Sequence, residues 1–155
     1  MDIINLFRPK KITARIIFSY CLFLVFMSLD FLTTEFNAQG NVGMEGNIIL
    51  TWWWNIFGQF RHIDIPIWII YIFFIAYFLN TRSEFLALWW LNGIAFGHLI
   101  GWITWSPYYR ILDFLYGIAS RDWLETIVLS SFGMLLGILL AFVQIKFVKK
   151  ISWKF

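Results

Sequence analysis

The sequence is poor in charge, in proline and in cysteine. Charged residues make up 14% of its 155 positions, with three prolines and one cysteine, Cys21. A single cysteine excludes an internal disulfide and any zinc site built on cysteine pairs, and we interpret it as a small buried hydrophobic residue. The net charge of +3 is small and its bases lie at the edges of apolar runs, which excludes a nucleic-acid-binding protein.

Recognisable catalytic motifs are also missing from the sequence. It has no HExxH, no histidine pair at i and i+4, no phosphate-binding loop and no Ser-His-Asp order with supporting context. The catalytic signal is therefore weak, and the sequence favours a protein that is not an enzyme without deciding the question. It indicates no particular cofactor.

Apolar residues are what the sequence has in excess. They make up 61% of the chain, and aromatic residues alone make up 22%. A soluble domain of this length could not bury so much apolar surface. The sequence therefore predicts a single polytopic domain in a lipid bilayer.

Four apolar stretches approach the roughly 20 residues that cross a bilayer. They cover residues 16–34, 65–78, 85–105 and 124–147, and they predict an all-α four-helix membrane bundle. Two shorter stretches predict interfacial helices on the outer side. Residues 47–60 are too short to cross comfortably and a fifth crossing would separate the basic termini, whereas residues 107–118 carry an apolar face after a Ser106-Pro107 start.

Local signals mark the helix starts. Asp64 and Pro66 predict the start of the second span, and Thr81 with Glu84 fits a capping box before the third. The first span is expected to be an uncleaved anchor, because its apolar run is long and residues 36–38 make a poor cleavage site.

The basic residues predict the orientation. Nine of the twelve lie on one side of the predicted membrane: Arg8, Lys10, Lys11, Arg15, Arg82, Lys146, Lys149, Lys150 and Lys154. Only Arg61, Arg110 and Arg121 lie on the other. The positive-inside rule then places both termini in the cytoplasm of a cell-membrane protein.

Small residues recur at every fourth position in the last two spans. They are Gly93, Gly97 and Gly101 in the third, and Gly133, Gly137 and Ala141 in the fourth. Such ridges allow helix backbones to approach closely in lipid, so we expect a tight seam that a leucine at position 97 or 137 would disrupt. A dimer interface is an alternative use of either ridge.

Polar residues gather at the outer end of the first span. Asp30, Thr33 and Thr34 share one helical face. Asp30 follows Arg15 by fifteen residues, about 22 Å of helix, and His98 follows Glu84 by fourteen. The two side chains therefore reach a similar depth, and we expect them to lie within direct or one-water hydrogen-bonding distance.

Two interpretations of this cluster stay open. An ionisable residue inside a membrane suggests function, so Asp30 and His98, with Glu45 from the following loop, are candidate metal ligands or a proton relay. Alternatively, Asp30 and the threonines satisfy helix-end carbonyls and amides or pair with Arg61 or Arg110. If Asp30 and His98 lay on opposite faces of the bundle, Asp30 with Glu45 and Asn47 would instead tether the loop.

The pattern Asp30-x-x-Thr33-Thr34, followed by Gly43-x-Glu45-x-Asn47, resembles an uncharacterised family of small prokaryotic membrane proteins. Its members show Asp-x-x-Thr in the first span and Glu-x-Asn-Pro just after it. This chain has Ile48 in place of the proline, and it has His98 in place of a lysine common in the second half of such proteins. The resemblance implies a four-helix membrane domain with acidic and asparagine residues near one membrane face, and it implies no activity.

Two functions are consistent with these features. The first is a non-enzymatic accessory or scaffold subunit of a larger membrane complex, whose outward aromatic residues would be covered by other subunits or by a second copy. The alternative is a small membrane enzyme or carrier with an outer-leaflet polar or metal site at Asp30, Glu45 and His98.

Overall fold

The computed structural model describes residues 11–38, 56, 61–105 and 123–148. These residues form four long helices: α1 (Ala14–Ala38), α2 (Arg61–Arg82), α3 (Glu84–Trp105) and α4 (Trp123–Phe147). Each contains a stretch long and apolar enough to cross a membrane, so the predicted all-α four-helix membrane bundle is confirmed. The predicted interfacial helices, 47–60 and 107–118, lie outside the described residues apart from Ile56.

One predicted helix start and one predicted cap are wrong, whereas α3 begins at Glu84, one residue before its predicted start. Helix α2 begins at Arg61, so Asp64 lies inside the helix instead of capping it, and Pro66 is an interior residue. The Thr81 hydroxyl donates to the Phe78 carbonyl at 2.6 Å within α2 and does not cap α3. Ser83 alone separates the two helices, and its carbonyl accepts the first hydrogen bond of α3.

Helix α3 is the centre of the bundle. It packs extensively on each of the other three helices, whereas those three contact one another at few points. Its buried side chains are mostly small or aliphatic, which allows three neighbours to approach at once. They pack with residues of the other helices into one core: Ile16, Phe23, Met27, Ile72, Ala76, Ala87, Leu88, Leu91, Ala95 and Ala141. Cys21 lies on the exposed face of α1, so its interpretation as a buried residue is wrong.

A glycine seam joins α3 to α4. A Cβ atom added at Gly137 would lie 2.5 Å from the Gly93 nitrogen, and one at Gly133 would lie 2.9 Å from the Gly97 nitrogen. Distances this short leave no room for a side chain. Ala141 continues the stripe and is fully buried. The close approach predicted from the two ridges is confirmed at these positions.

Gly97 and Gly101 depart from the prediction. A Cβ at position 97 would meet no atom within 4 Å, so a methyl group fits there although the Gly97 backbone lies against Gly133; disruption by a leucine at position 97 stays a prediction. Gly101 faces Asp30 of α1 instead of α4. The reason is geometrical: at 3.6 residues per turn, a four-residue step rotates by about 40°, so the ridge turns away from α4.

The contacts at one end of the bundle establish the helix directions. Residues from the start of α1, the start of α3 and the end of α4 meet there: Arg15 contacts Glu84 and the carbonyl of Val148. Helices α1 and α3 therefore run in the same direction, and α4 runs opposite to them. We refer to this end, marked by Arg15, Glu84 and Val148, as the Arg15 end.

Candidate functional site

Asp30 and His98 meet in the half of the bundle away from the Arg15 end, about two turns before α1 and α3 finish. The Nδ1 atom of His98 lies 2.8 Å from Oδ2 of Asp30, which confirms the predicted close approach. The contact forms because α1 and α3 are parallel and the two residues lie equally far along them. Their side chains are 20% and 31% exposed, respectively, so the pair is neither sealed in the core nor fully outside it.

Gly101 and Phe23 shape the surroundings of this pair. Gly101 lies about one turn beyond His98, and the Asp30 carboxylate rests against its backbone: a Cβ there would lie 2.8 Å from Oδ1. The buried ring of Phe23 lies 5.8 Å from the imidazole, measured between ring centroids. Gly101 thus makes room for the carboxylate, a role that its place in the glycine ridge did not indicate.

The other predicted site residues do not join this contact in the described part of the chain. The Thr33 hydroxyl donates to the Leu29 carbonyl of its own helix at 2.8 Å. Thr34 lies in α1, but its side chain is outside the described residues, as are Glu45 and Asn47. Among the described residues, no group of three possible metal ligands comes together. A contribution of Glu45 stays a prediction.

The geometry limits what the pair can do chemically. A neutral imidazole has one donor and one acceptor nitrogen, and Asp30 occupies Nδ1. A carboxylate in this position orients the ring and fixes its tautomer, which leaves Nε2 for a second contact. The pair is therefore suited to hold a proton or to present one imidazole nitrogen to a ligand.

A second polar cluster occupies the Arg15 end and was missed from the sequence. The Thr13 hydroxyl donates to Oε1 of Glu84 at 2.7 Å, and Nη1 of Arg15 lies 3.5 Å from the same oxygen. Nε of Arg15 also donates to the Val148 carbonyl at 3.0 Å. Arg15 was counted only as a flanking base and Glu84 only as a capping residue, although opposite charges at the starts of two parallel spans favour such a pair.

A third polar contact lies deeper between α1, α3 and α4. The Asn92 amide donates to Oε1 of Gln144 at 2.9 Å, and the Gln144 amide donates to the Ser19 hydroxyl at 3.0 Å. All three side chains are buried. Oδ1 of Asn92 has no hydrogen-bond partner in the described part of the chain. Ser19, Asn92 and Gln144 are polar residues inside apolar spans, and this feature of the sequence could have predicted the contact.

Comparison with protein-family models, with curated proteins and with solved structures gives no match to this chain. The resemblance of the Asp30 to Asn47 pattern to a prokaryotic membrane family therefore stays a prediction.

Gly101→Ala should displace the Asp30 carboxylate, because the added Cβ would lie 2.8 Å from Oδ1. We expect the hydrogen-bonded Nδ1 signal of His98 to shift or disappear in the ¹⁵N NMR spectrum. The chain has two histidines, so the measurement uses a His62→Gln background in which His98 gives the only imidazole signals.

Gly97→Ala is the matched control, since it adds the same methyl group on the same helix where no atom lies within 4 Å. It should leave the His98 signal unchanged. An unaltered signal in the Gly101→Ala protein would contradict this placement of Asp30.

Proposed function

We propose that this protein is a non-enzymatic accessory or scaffold subunit of a larger membrane complex. The observation that carries the proposal is that polar side chains within the described spans bind one another across helices. The pairs are Arg15 with Glu84, Gln144 with Ser19 and Asn92, and Asp30 with His98. Contacts of this kind fix helix positions, as a scaffold requires.

The outer faces of α2 and α4 are compatible with the same proposal. Each carries a stripe of large exposed apolar side chains, Ile67, Ile70, Phe74 and Phe78 on α2 and Phe132, Leu135, Leu139 and Phe142 on α4. In lipid, helices associate by close packing more than by hydrophobicity, so such stripes serve equally well against acyl chains and against partner helices. A bilayer and another membrane subunit are the surroundings that fit these faces.

We further propose that the protein lies in the cell membrane with both termini in the cytoplasm. The distribution of bases supports this orientation, with nine of twelve on the side of the termini. The contact of Arg15 with the Val148 carbonyl supports it too, because it brings the start of α1 and the end of α4 to one face.

Cysteine labelling in intact cells tests the orientation. In a Cys21→Ser background, a membrane-impermeant maleimide should label Asn41→Cys and Arg121→Cys directly. Ser83→Cys, in the connection between α2 and α3, should react only after the membrane is permeabilised. Labelling of Ser83→Cys in intact cells would overturn the orientation.

A second candidate function is a small membrane enzyme or carrier. The observation in its favour is the 2.8 Å contact of Asp30 with His98 at a partly exposed place in the spans. Ionisable groups at such depth are costly and are kept mainly where they act on an ion, a proton or a substrate. Its substrate would be lipid-like or would enter from outside, with Glu45 as a further group at the site.

Native mass spectrometry combined with metal analysis separates the two functions. The protein is purified in mild detergent as the wild type and as the Asp30→Asn and His98→Gln variants, which remove charge or titration and keep polarity. A scaffold subunit should retain a partner at fixed stoichiometry in all three proteins. An isolated protein whose divalent metal is lost in both variants would contradict the scaffold proposal and support the second function.

Paired surface variants locate the partner in the same experiment. Leu139→Ala with Phe142→Ala alters the α4 stripe, and Phe74→Ala with Phe78→Ala makes a matched change on α2. At least one pair should release the partner while the bundle stays folded. Retention of the partner by both would show that neither stripe is a subunit contact.

A further inference from the structure

The Asp30 and His98 pair lies inside the membrane-spanning stretches, close to where they end. The apolar stretch of α1 runs to Thr33, three residues past Asp30, and that of α3 runs to Ile103, five residues past His98. At 1.5 Å of rise per residue, the pair lies about 4–8 Å from the ends of these stretches. A long basic side chain at this depth can reach the pair from a neighbouring helix, because its apolar stem is at home in lipid.

The pair has no basic neighbour in the described part of the chain other than His98 itself. Every lysine and arginine whose side chain is described lies at the Arg15 end, and Arg15 is fifteen residues, about 22 Å of helix, before Asp30. A neutral imidazole donates one hydrogen bond to the Asp30 carboxylate and leaves its negative charge uncompensated. Charges inside a membrane are costly, and they pair with one another where they occur. A positive charge is therefore stabilised at this place.

Space and exposure allow a side chain to reach the carboxylate. The Asp30 and His98 side chains keep 20% and 31% of their surface exposed. Gly97 lies one turn before Gly101, against which the carboxylate rests, and a Cβ atom at position 97 would meet no atom within 4 Å. The surface of α3 beside the carboxylate is thus open. Small residues at such a surface let a second spanning helix approach closely.

The partner that fits this place is a spanning helix of a different protein. A second copy in the same orientation presents its described bases at the Arg15 end and not at the depth of Asp30. A tightly held metal ion takes at least three protein ligands, and no third ligand joins the pair in the described part of the chain. A lysine or arginine side chain needs only the one carboxylate that is present.

We propose that the Asp30 and His98 pair receives one lysine or arginine side chain from a spanning helix of a partner subunit. This inference rests on the accessory-subunit function proposed above and identifies the chemistry by which the partner is recognised. The Asp30 carboxylate accepts a charge-assisted hydrogen bond from the incoming base. His98 donates through Nδ1 to Oδ2 and orients the carboxylate, so it is the positioning residue of the contact.

Model spanning peptides in phosphatidylcholine vesicles test the proposal without the natural partner. The peptides are leucine–alanine helices of about 20 residues that differ at one position, one turn from the outer end, which holds lysine, leucine or glutamate. The ten tryptophans of the protein serve as energy-transfer donors to a dansyl group on the peptide. We expect the lysine peptide to bind most tightly and the glutamate peptide least, because only lysine compensates the carboxylate.

Two near-isosteric variants locate the effect, and circular dichroism confirms that both are folded. Asp30→Asn removes the charge and keeps the shape, so the preference for lysine over leucine should fall about fivefold, the difference between a charged and a neutral hydrogen bond. His98→Gln keeps the carboxylate and should retain most of the preference. A fivefold loss weakens a subunit contact without releasing the subunit, so Asp30→Asn should still retain a natural partner.

Equal affinities of the three peptides for the wild type would overturn the proposal, as expected if a protonated His98 already neutralises Asp30. A lysine preference that persists in Asp30→Asn would overturn it too, because the base would then bind elsewhere. Failure of this inference is separable from failure of the accessory-subunit function. A wild type that retains a natural partner but shows no peptide preference refutes only the inference, whereas a lysine preference in a protein that purifies without any partner refutes only that function.

Discussion

The contact of Gly137 with the backbone of α3 determines where the rest of α4 can lie. At this point the two helices are so close that a single added Cβ would come within 2.5 Å of Gly93. In lipid, apolar surface provides little drive for helix association, so steric fit decides which faces meet. Once Gly137 packs against Gly93, Gln144 lies two turns further along α4, where it reaches Asn92 and Ser19.

Polar contacts then fix the parallel pair α1 and α3 at two separate levels. Arg15 with Glu84 holds one level, and Asp30 with His98 holds the other. Between them the core is mostly apolar, with Phe23 and Leu88 almost fully buried, and it contains the buried contact of Ser19 and Asn92 with Gln144. A shift of α1 along α3 by one turn would break both contacts together, so they define the register that apolar packing alone would leave loosely specified.

The two polar contacts between α1 and α3 differ in how exposed they are, and therefore in whether they could bind a ligand. At the Arg15 end, the guanidinium is buried and engages both Glu84 and the carbonyl of Val148, the residue after α4, so it serves the fold. The Asp30 and His98 pair is more exposed, and one imidazole nitrogen is not used in the contact with Asp30. The second candidate function would therefore have its site at the Asp30 and His98 pair.

Span length and helical periodicity were enough to predict much of this arrangement. The four spans follow from apolar runs, and the meeting of Asp30 with His98 follows from equal distances along parallel helices. The prediction from four-residue spacing failed further along α3, because each four-residue step adds a rotation of about 40°. The four-residue ridge that began correctly at Gly93 had turned toward α1 by Gly101, where it receives the Asp30 carboxylate.

Residues with two plausible roles were the other source of error. Arg15 satisfied the positive-inside pattern and Glu84 satisfied a capping box, so neither required a partner. Only the packing of α1 on α3 shows that they face each other. Cys21 was assigned by residue type, but in a small bundle most positions of a spanning helix face lipid, and Cys21 is one of them.

Thermal unfolding of Gly137→Ala beside Gly97→Ala tests most directly whether the glycine seam organises the bundle. Both variants add one methyl group to a glycine of the seam, and overpacking of this kind typically costs about 1–3 kcal/mol. We expect a clear loss of stability for Gly137→Ala, whose Cβ meets backbone, and almost none for Gly97→Ala, whose Cβ meets no atom within 4 Å. Equal melting temperatures for Gly137→Ala and the wild type would contradict it.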